Sequence, residues 1–174
     1  MEKMIYLQSN YVKIMIETIQ LTIRVLKLQE NELDGQQRKA LGLAKLATER
    51  SYSPYSHFRV GAAVVLDNGE ALSGSNQENS AYPSGLCAER TTVFYANSRY
   101  PDSHILLLCI AASDEQGNFT RQPICPCGAC RQVLVEAEQR GGTPMQILLY
   151  GTDYCYLVRS ARDLLPLTFD DSFL

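Results

Sequence analysis

The chain sets a Cys87-Ala88-Glu89 triplet far upstream of Pro126-Cys127-Gly128-Ala129-Cys130. Three sulfur ligands and a carboxylate two residues from the first make the inventory of a zinc site with one coordination position open. A structural zinc normally closes its tetrahedron with four protein ligands, whereas a hydrolytic one holds three and keeps the fourth for water. A fold that uses both groups must therefore bring two distant segments to one point. Glu89 then reads as a proton carrier. The C-x-x-C alone describes a structural zinc pair or a redox pair equally well, and those readings stay open at this level.

At 174 residues the chain has the size of one domain and can bury a core without disulfide staples. The six cysteines, with their C-x-x-C spacing, fit metal ligation in a reducing compartment better than a disulfide framework, so a cytoplasmic location is expected. The formal charge of -3 argues against a nucleic-acid partner, which asks for a basic surface. The longest apolar run, Ile105 to Ala112, falls far short of the roughly 20 residues that span a bilayer, so no membrane association is expected. No export signal is found: Lys13 and Glu17 interrupt the apolar N-terminus, and no small-residue cleavage pattern follows.

Hydrophobic period divides the chain. Residues 1–16 have no clear period, and Met15 is a candidate internal start that an intact-mass measurement would decide. Thr18 to Val25 alternates polar and apolar, the pattern of a half-buried strand, so a strand over 18–26 is expected within an N-terminal extension of residues 1–34. The remaining 35–174 read as the catalytic domain. A helix is expected from Gly35 to Arg50, with Pro54 in the turn after it, then a strand from Phe58 to Leu66. Asp67-Asn68-Gly69 reads as a hairpin turn in which Asn-Gly supplies positive φ angles, with the return strand at Glu70 to Asn76. A helix follows over Arg90 to Arg99, and a buried strand over Ile105 to Ala112. Another helix runs from Cys127 to Arg140, stopped by Gly141-Gly142, before short strands at Met145 to Tyr150 and Cys155 to Val158. Strands interleaved with helices imply an α/β layered domain around a mixed sheet.

Both cysteine groups fall where a loop enters a helix. The helix dipole places partial positive charge there, which stabilises the thiolates that zinc requires. Cys127 and Cys130, three apart, share a face of the first turn and can chelate one ion. Side chains lean toward the helix N-terminus, so Glu89 can reach back to a metal held at the end of its helix. Three thiolates leave a Zn²⁺ cluster net negative, which weakens its ability to acidify water. Arg90 is the nearest fixed cation that can offset this charge by hydrogen-bonding a ligand sulfur. The C-x-E and P-C-x-x-C groups together match the zinc deaminase signature, in which the glutamate is not a ligand.

Four stretches carry a family resemblance. Ser53-Pro-Tyr-Ser-His-Phe-Arg-Val-Gly-Ala-Ala63, Asn76-Gln-Glu-Asn79, Tyr82-Pro-Ser-Gly-Leu-Cys-Ala-Glu-Arg-Thr91 and Pro126-Cys-Gly-Ala-Cys-Arg-Gln132 resemble the small homotetrameric cytidine deaminases. The resemblance runs from about Gln36 to Phe169, in the family's order. It implies a three-layer α/β/α sandwich with a mixed five-stranded sheet. It also implies one Zn²⁺ per subunit on Cys87, Cys127 and Cys130. Cysteine at the first ligand position marks the branch acting on free nucleosides, whereas editing relatives generally carry histidine there. Water would add at C4 of cytosine, with Glu89 passing its proton to ring N3 and later to the departing amine. Cytidine and 2′-deoxycytidine would yield uridine and 2′-deoxyuridine plus ammonia, in pyrimidine salvage.

The resemblance further assigns Phe58 to packing on the base, Asn76 and Glu78 to gripping the ribose hydroxyls, and Ala88 to substrate binding. As alternate residues of an extended segment, Asn76 and Glu78 project to one side and can reach one sugar. Tyr82 and Phe169 match aromatics that reach a neighbouring subunit's site, so a homotetramer with sites completed in trans is implied. Cys125 stands where a small residue often precedes the Pro-Cys, and reads as a thiol beside the metal or merely buried. Cys109 reads as core packing, while Cys155, His57 and His104 carry no assigned role. Three alternatives remain: deamination of another cytosine nucleoside such as an antibiotic, a zinc-stabilised binding protein of the same fold, and a redox dithiol. An intact Glu89 argues against the second, since a structural role gives that carboxylate no task.

Overall fold

The computed structural model describes residues 17–174. The stretch without clear period, including the Met15 start, lies outside the described residues. The chain order is β1 (Val25–Leu28), α1 (Gly35–Ala47), β2 (Arg59–Leu66), β3 (Ala71–Ser75), α2 (Ala88–Arg99), β4 (Ile105–Ser113), α3 (Gly128–Gly141), β5 (Gln146–Leu149) and β6 (Cys155–Val158). Together the strands form a mixed sheet in the order β1-β6-β5-β4-β2-β3. Among the described residues only the β4–β5 strand pair is parallel, and α3 supplies the crossover that parallel pairing needs.

The sheet has six strands rather than the expected five. The additional one is β1, paired antiparallel to β6 from Val25 opposite Val158 to Leu28 opposite Cys155. It lies later than the alternating stretch that forecast it, and its buried parity is opposite. Leu26 and Leu28 pack toward the core, while Ile19, Leu21, Ile23 and Val25 stay exposed. Pairing with β6 selects the segment, and local alternation alone does not.

Helices cover both faces, as a three-layer sandwich requires. On one face α1 buries Ala40, Leu41 and Ala44 against Ala63, Val65 and Cys109. Asp34 starts α1 with a capping box: it accepts the Gln37 N–H at 2.8 Å while Gln37 accepts the Asp34 N–H at 3.1 Å. On the other face α2 and α3 set Val93, Leu134 and Val135 against Val64, Leu108, Ile110 and Ile147. Each such fully buried aliphatic side chain contributes about 1.5–3 kcal/mol.

Two glycines set these distances. A Cβ on Gly61 would lie 2.1 Å from the Ala44 carbonyl oxygen, so only glycine lets α1 settle on β2. A Cβ on Gly74 would lie 2.8 Å from the Thr92 hydroxyl, which fixes how closely α2 approaches β3. The β2–β3 turn differs from the Asn-Gly expectation. Gly69 has φ 86°, but Asn68 does not enter the positive region, and Gly69 N–H donates to Leu66 O at 3.1 Å. A type I turn followed by a left-handed glycine therefore joins the strands, and the Asn68 carboxamide oxygen accepts the Glu70 N–H at 2.9 Å. The consequence for the site is that α2 and α3 lie on one face of the sheet.

Candidate active site

Cys87 and Cys127 are the N-cap residues of α2 and α3, each with extended backbone. Neither thiol is spent on capping its own helix. Cys130 follows one turn into α3 and is fully buried. The three sulfurs lie within 4.8 Å of one another, with Cys127 to Cys130 at 3.4 Å and Cys87 to Cys127 at 3.9 Å. Tetrahedral zinc with bonds of about 2.3 Å holds its sulfurs about 3.8 Å apart, so the thiols fit that ion with one position open.

The thiols shift one another's acidity. A hydrogen bond from the Cys130 thiol, helped by Arg90 and Cys127, holds the Cys87 thiol down to about 5. Cys130, the donor in that hydrogen bond and itself buried, is pushed up. A cation entering the cluster replaces these protons, which is how thiol sites load metal. Arg90 Nη2 lies 3.9 Å from Cys87 Sγ and donates to the Gly85 carbonyl at 3.4 Å, while its buried Nε has no partner.

Glu89 is 5% exposed, on the first turn of α2. Burial pushes its carboxyl up, the Cys87 charge adds to this, and a hydrogen bond from Cys130 opposes it. A carboxyl held above its ordinary range beside a thiol cluster suits general acid–base work.

A cavity of about 250 Å³ opens beside the cluster, lined by Asn76, Glu78, Tyr82, Leu86, Cys87 and Arg90 among others. Asn76 and Glu78 are already engaged within the protein. The Asn76 carboxamide oxygen accepts from Ser51 Oγ at 2.6 Å and from the Val60 N–H at 2.8 Å, and its nitrogen donates to Phe58 O at 2.9 Å. The Glu78 carboxylate accepts the N–H groups of Tyr55 and Ser56. These contacts hold the loop that carries Phe58. Tyr82 stands on the rim, 77% exposed, edge-on to Tyr55.

Phe58, Ala88 and Phe169 do not line this cavity. Phe58 is partly exposed just ahead of β2, Ala88 is fully buried as the first residue of α2, and Phe169 is exposed on the C-terminal segment. Cys125 is exposed, which corrects the reading of it as a buried thiol, and it is not one of the three clustered sulfurs. It lies on the loop surface, whereas Cys109 and Cys155 are core residues. All six cysteines are unpaired.

Three residues near the site were not singled out from the sequence. His57 takes φ 56° immediately before Phe58, and its Nδ1 lies 2.7 Å from Glu115 Oε1. Arg131 and Gln132, directly after Cys130, bind the C-terminal segment. Their place within the P-C-G-A-C-R-Q stretch was the available signal.

Thiols from two helix N-termini, a buried carboxylate beside them and an α/β/α sandwich define a zinc-site hydrolytic deaminase. Comparison with known proteins narrows the class. The family model described as the cytidine and deoxycytidylate deaminase zinc-binding region matches residues 34–141, and the chain belongs to that family of enzymes. The cytidine deaminase of Sporosarcina psychrophila is 45% identical over 98 residues, 56% of this chain and 67% of that protein. The Mycobacterium tuberculosis cytidine deaminase is 38% identical over 128 residues, 74% of this chain and 85% of that one. The Burkholderia pseudomallei cytidine deaminase crystal structure superposes with a TM-score of 0.64 at 36% identity, covering 76% of this chain and 98% of the other.

Proposed function

We propose that this enzyme hydrolyses cytidine and 2′-deoxycytidine to uridine and 2′-deoxyuridine, releasing ammonia. The observation that carries the reading is the convergence of Cys87, Cys127 and Cys130 within 4.8 Å, with buried Glu89 beside them. One Zn²⁺ per subunit on these thiolates would supply a water acidic enough to add to C4 near neutral pH. Glu89 takes the water's proton, holds it in a dry setting, passes it to ring N3, and later delivers one to the departing amine. Water enters and ammonia leaves, so the reaction needs no other reactant. Arg90 offsets the charge of the thiolates through Cys87.

Recognition draws on residues of the cavity wall and on others outside it. Asn76 and Glu78 present their remaining hydrogen-bonding capacity to the ribose, Phe58 packs on the base, and Ala88 helps hold it. Tyr82 and Phe169, exposed in the single chain, complete the site of a neighbouring subunit in a homotetramer. We place the catalytic domain at residues 35–174, with 1–34 as an extension, and the enzyme in the cytoplasm, in pyrimidine salvage. Six unpaired cysteines support that compartment.

Zinc-loaded protein mixed with cytidine should lose ultraviolet absorbance while releasing ammonia. No turnover with zinc bound overturns this reading. Glu89→Gln should keep its zinc and lose at least about three orders of magnitude in kcat, the range expected for general acid–base chemistry. An active variant removes Glu89 from the proton path.

A further inference from the structure

The C-terminal segment after β6 is fastened to the helix that carries two of the three thiols. Arg131 Nη1 donates to the Leu164 carbonyl at 2.9 Å, while its Nε donates to the Pro126 carbonyl, also at 2.9 Å. One guanidinium thus clamps the turn that presents Cys127 to the segment that presents Phe169. Gln132 Nε2 donates to the Phe169 carbonyl itself, at 2.9 Å. Farther along α3, Gln139 hydrogen-bonds Asp171, and Arg162 pairs with Asp170 at 3.0 Å.

The segment needs such fastening. Leu167 sits at φ 58°, a left-handed conformation that costs a bulky residue about 1–2 kcal/mol and persists only where surrounding contacts impose it. It is 91% exposed, so burial of its own side chain does not hold it there. Phe169 is 60% exposed and, among the described residues, its aromatic partner is Phe173, with the ring centroids 5.8 Å apart. Side-chain packing therefore leaves the Phe169 ring largely unfixed. The Gln132 bond to its carbonyl and the Arg131 bond to Leu164 hold the backbone from which the ring projects.

We infer that Gln132 and Arg131 are positioning residues that aim Phe169 for substrate binding by tying the C-terminal segment to the thiol-bearing turn of α3. This rests on the function proposed above. Gln132 acts on recognition, through KM, and leaves the proton chemistry at Glu89 alone.

The test uses full-length, zinc-loaded protein as wild type, Gln132→Met, Phe169→Ala and the double variant. Met keeps the length of Gln and removes its N–H donor. Three quantities are read: zinc per chain, kcat and KM for cytidine, and hydrogen–deuterium exchange over 164–174. Gln132→Met should raise KM roughly three- to tenfold, the range for loss of one hydrogen bond, with kcat and zinc content within about twofold of wild type. Exchange over 164–174 should rise with no change around Cys87. Added to Phe169→Ala, the same substitution should change KM no further.

An unchanged KM in Gln132→Met, loss of zinc with the KM effect, or full multiplication of the two effects overturns the inference. So does an unchanged KM in Phe169→Ala when the wild type is active, an outcome that leaves the proposed function standing. Exchange is read whether or not cytidine is turned over. Unchanged exchange in Gln132→Met overturns the inference on its own, while absent turnover in zinc-loaded wild type bears on the proposed function.

Discussion

The carboxylate of Glu78 accepts the backbone N–H of Tyr55 at 2.9 Å, and that of Ser56 at 3.2 Å. A side chain proposed to grip the sugar therefore also shapes the loop that delivers Phe58. The Ser56 hydroxyl and then the Tyr55 amide hold its carboxyl below the usual range. A carboxyl depressed in the folded protein contributes fully above its unfolded pKa of about 4.3, and that contribution is lost as pH falls through the lower folded value. The KM for cytidine should stay flat from about pH 8 down to about 5, rising only in stronger acid. Glu78→Gln should show a KM raised several-fold throughout, with no acid rise. Initial rates, with zinc counted at each pH, check this. A wild-type KM that climbs between about pH 6 and 5 with zinc intact contradicts it.

Arg90 is the cation beside the sulfur cluster, 3.9 Å from Cys87 Sγ. Removing it leaves the thiolates with less to balance their charge. Arg90→Gln should bind zinc about 10- to 100-fold more weakly, the range measured for groups that support metal ligands. Competition with a chelator reads this directly, and an unchanged zinc affinity would remove Arg90 from the site's charge balance.

His57 holds a left-handed backbone conformation one residue ahead of Phe58. Its pairing with Glu115 is exposed at both ends and is worth at most about 1 kcal/mol. His57→Gly should stay within about 1 kcal/mol of wild type, because relief of the backbone offsets the lost pair. His57→Val, β-branched at a positive φ, should lose about 2 kcal/mol. Chemical denaturation at fixed protein concentration separates the two. Equal stability of the Val variant would show that the native turn does not need this conformation.

Much of the fold was legible because its signals are local. The helical period of 35–50, the three-residue step from Cys127 to Cys130 and the apolar run at Ile105 each follow from geometry within a turn or a strand. What was misplaced depends on distant partners. β1 lies where β6 can pair with it, and its buried residues follow that register rather than the alternation of 18–25. Asn68 keeps a negative φ because the turn carries its left-handed residue at Gly69 alone. Arg131 and Gln132 bind backbone carbonyls 33 and 37 residues away, which no side-chain pattern announces. Cys125, one step from Pro126, is exposed rather than buried, since the loop before α3 lies at the surface.

The thiols and Glu89 stand on two helix starts backed by a buried sheet, whereas Phe58 and Phe169 each follow closely on a left-handed residue outside regular structure. Under the proposed function, reactivity and selectivity occupy parts of the molecule with different tolerance for change. If the proposed function holds, substitutions along 53–58 or 164–169 should retune which nucleoside is accepted and leave zinc binding by the three thiols intact. A laboratory search for altered substrate range has its library drawn by those two segments.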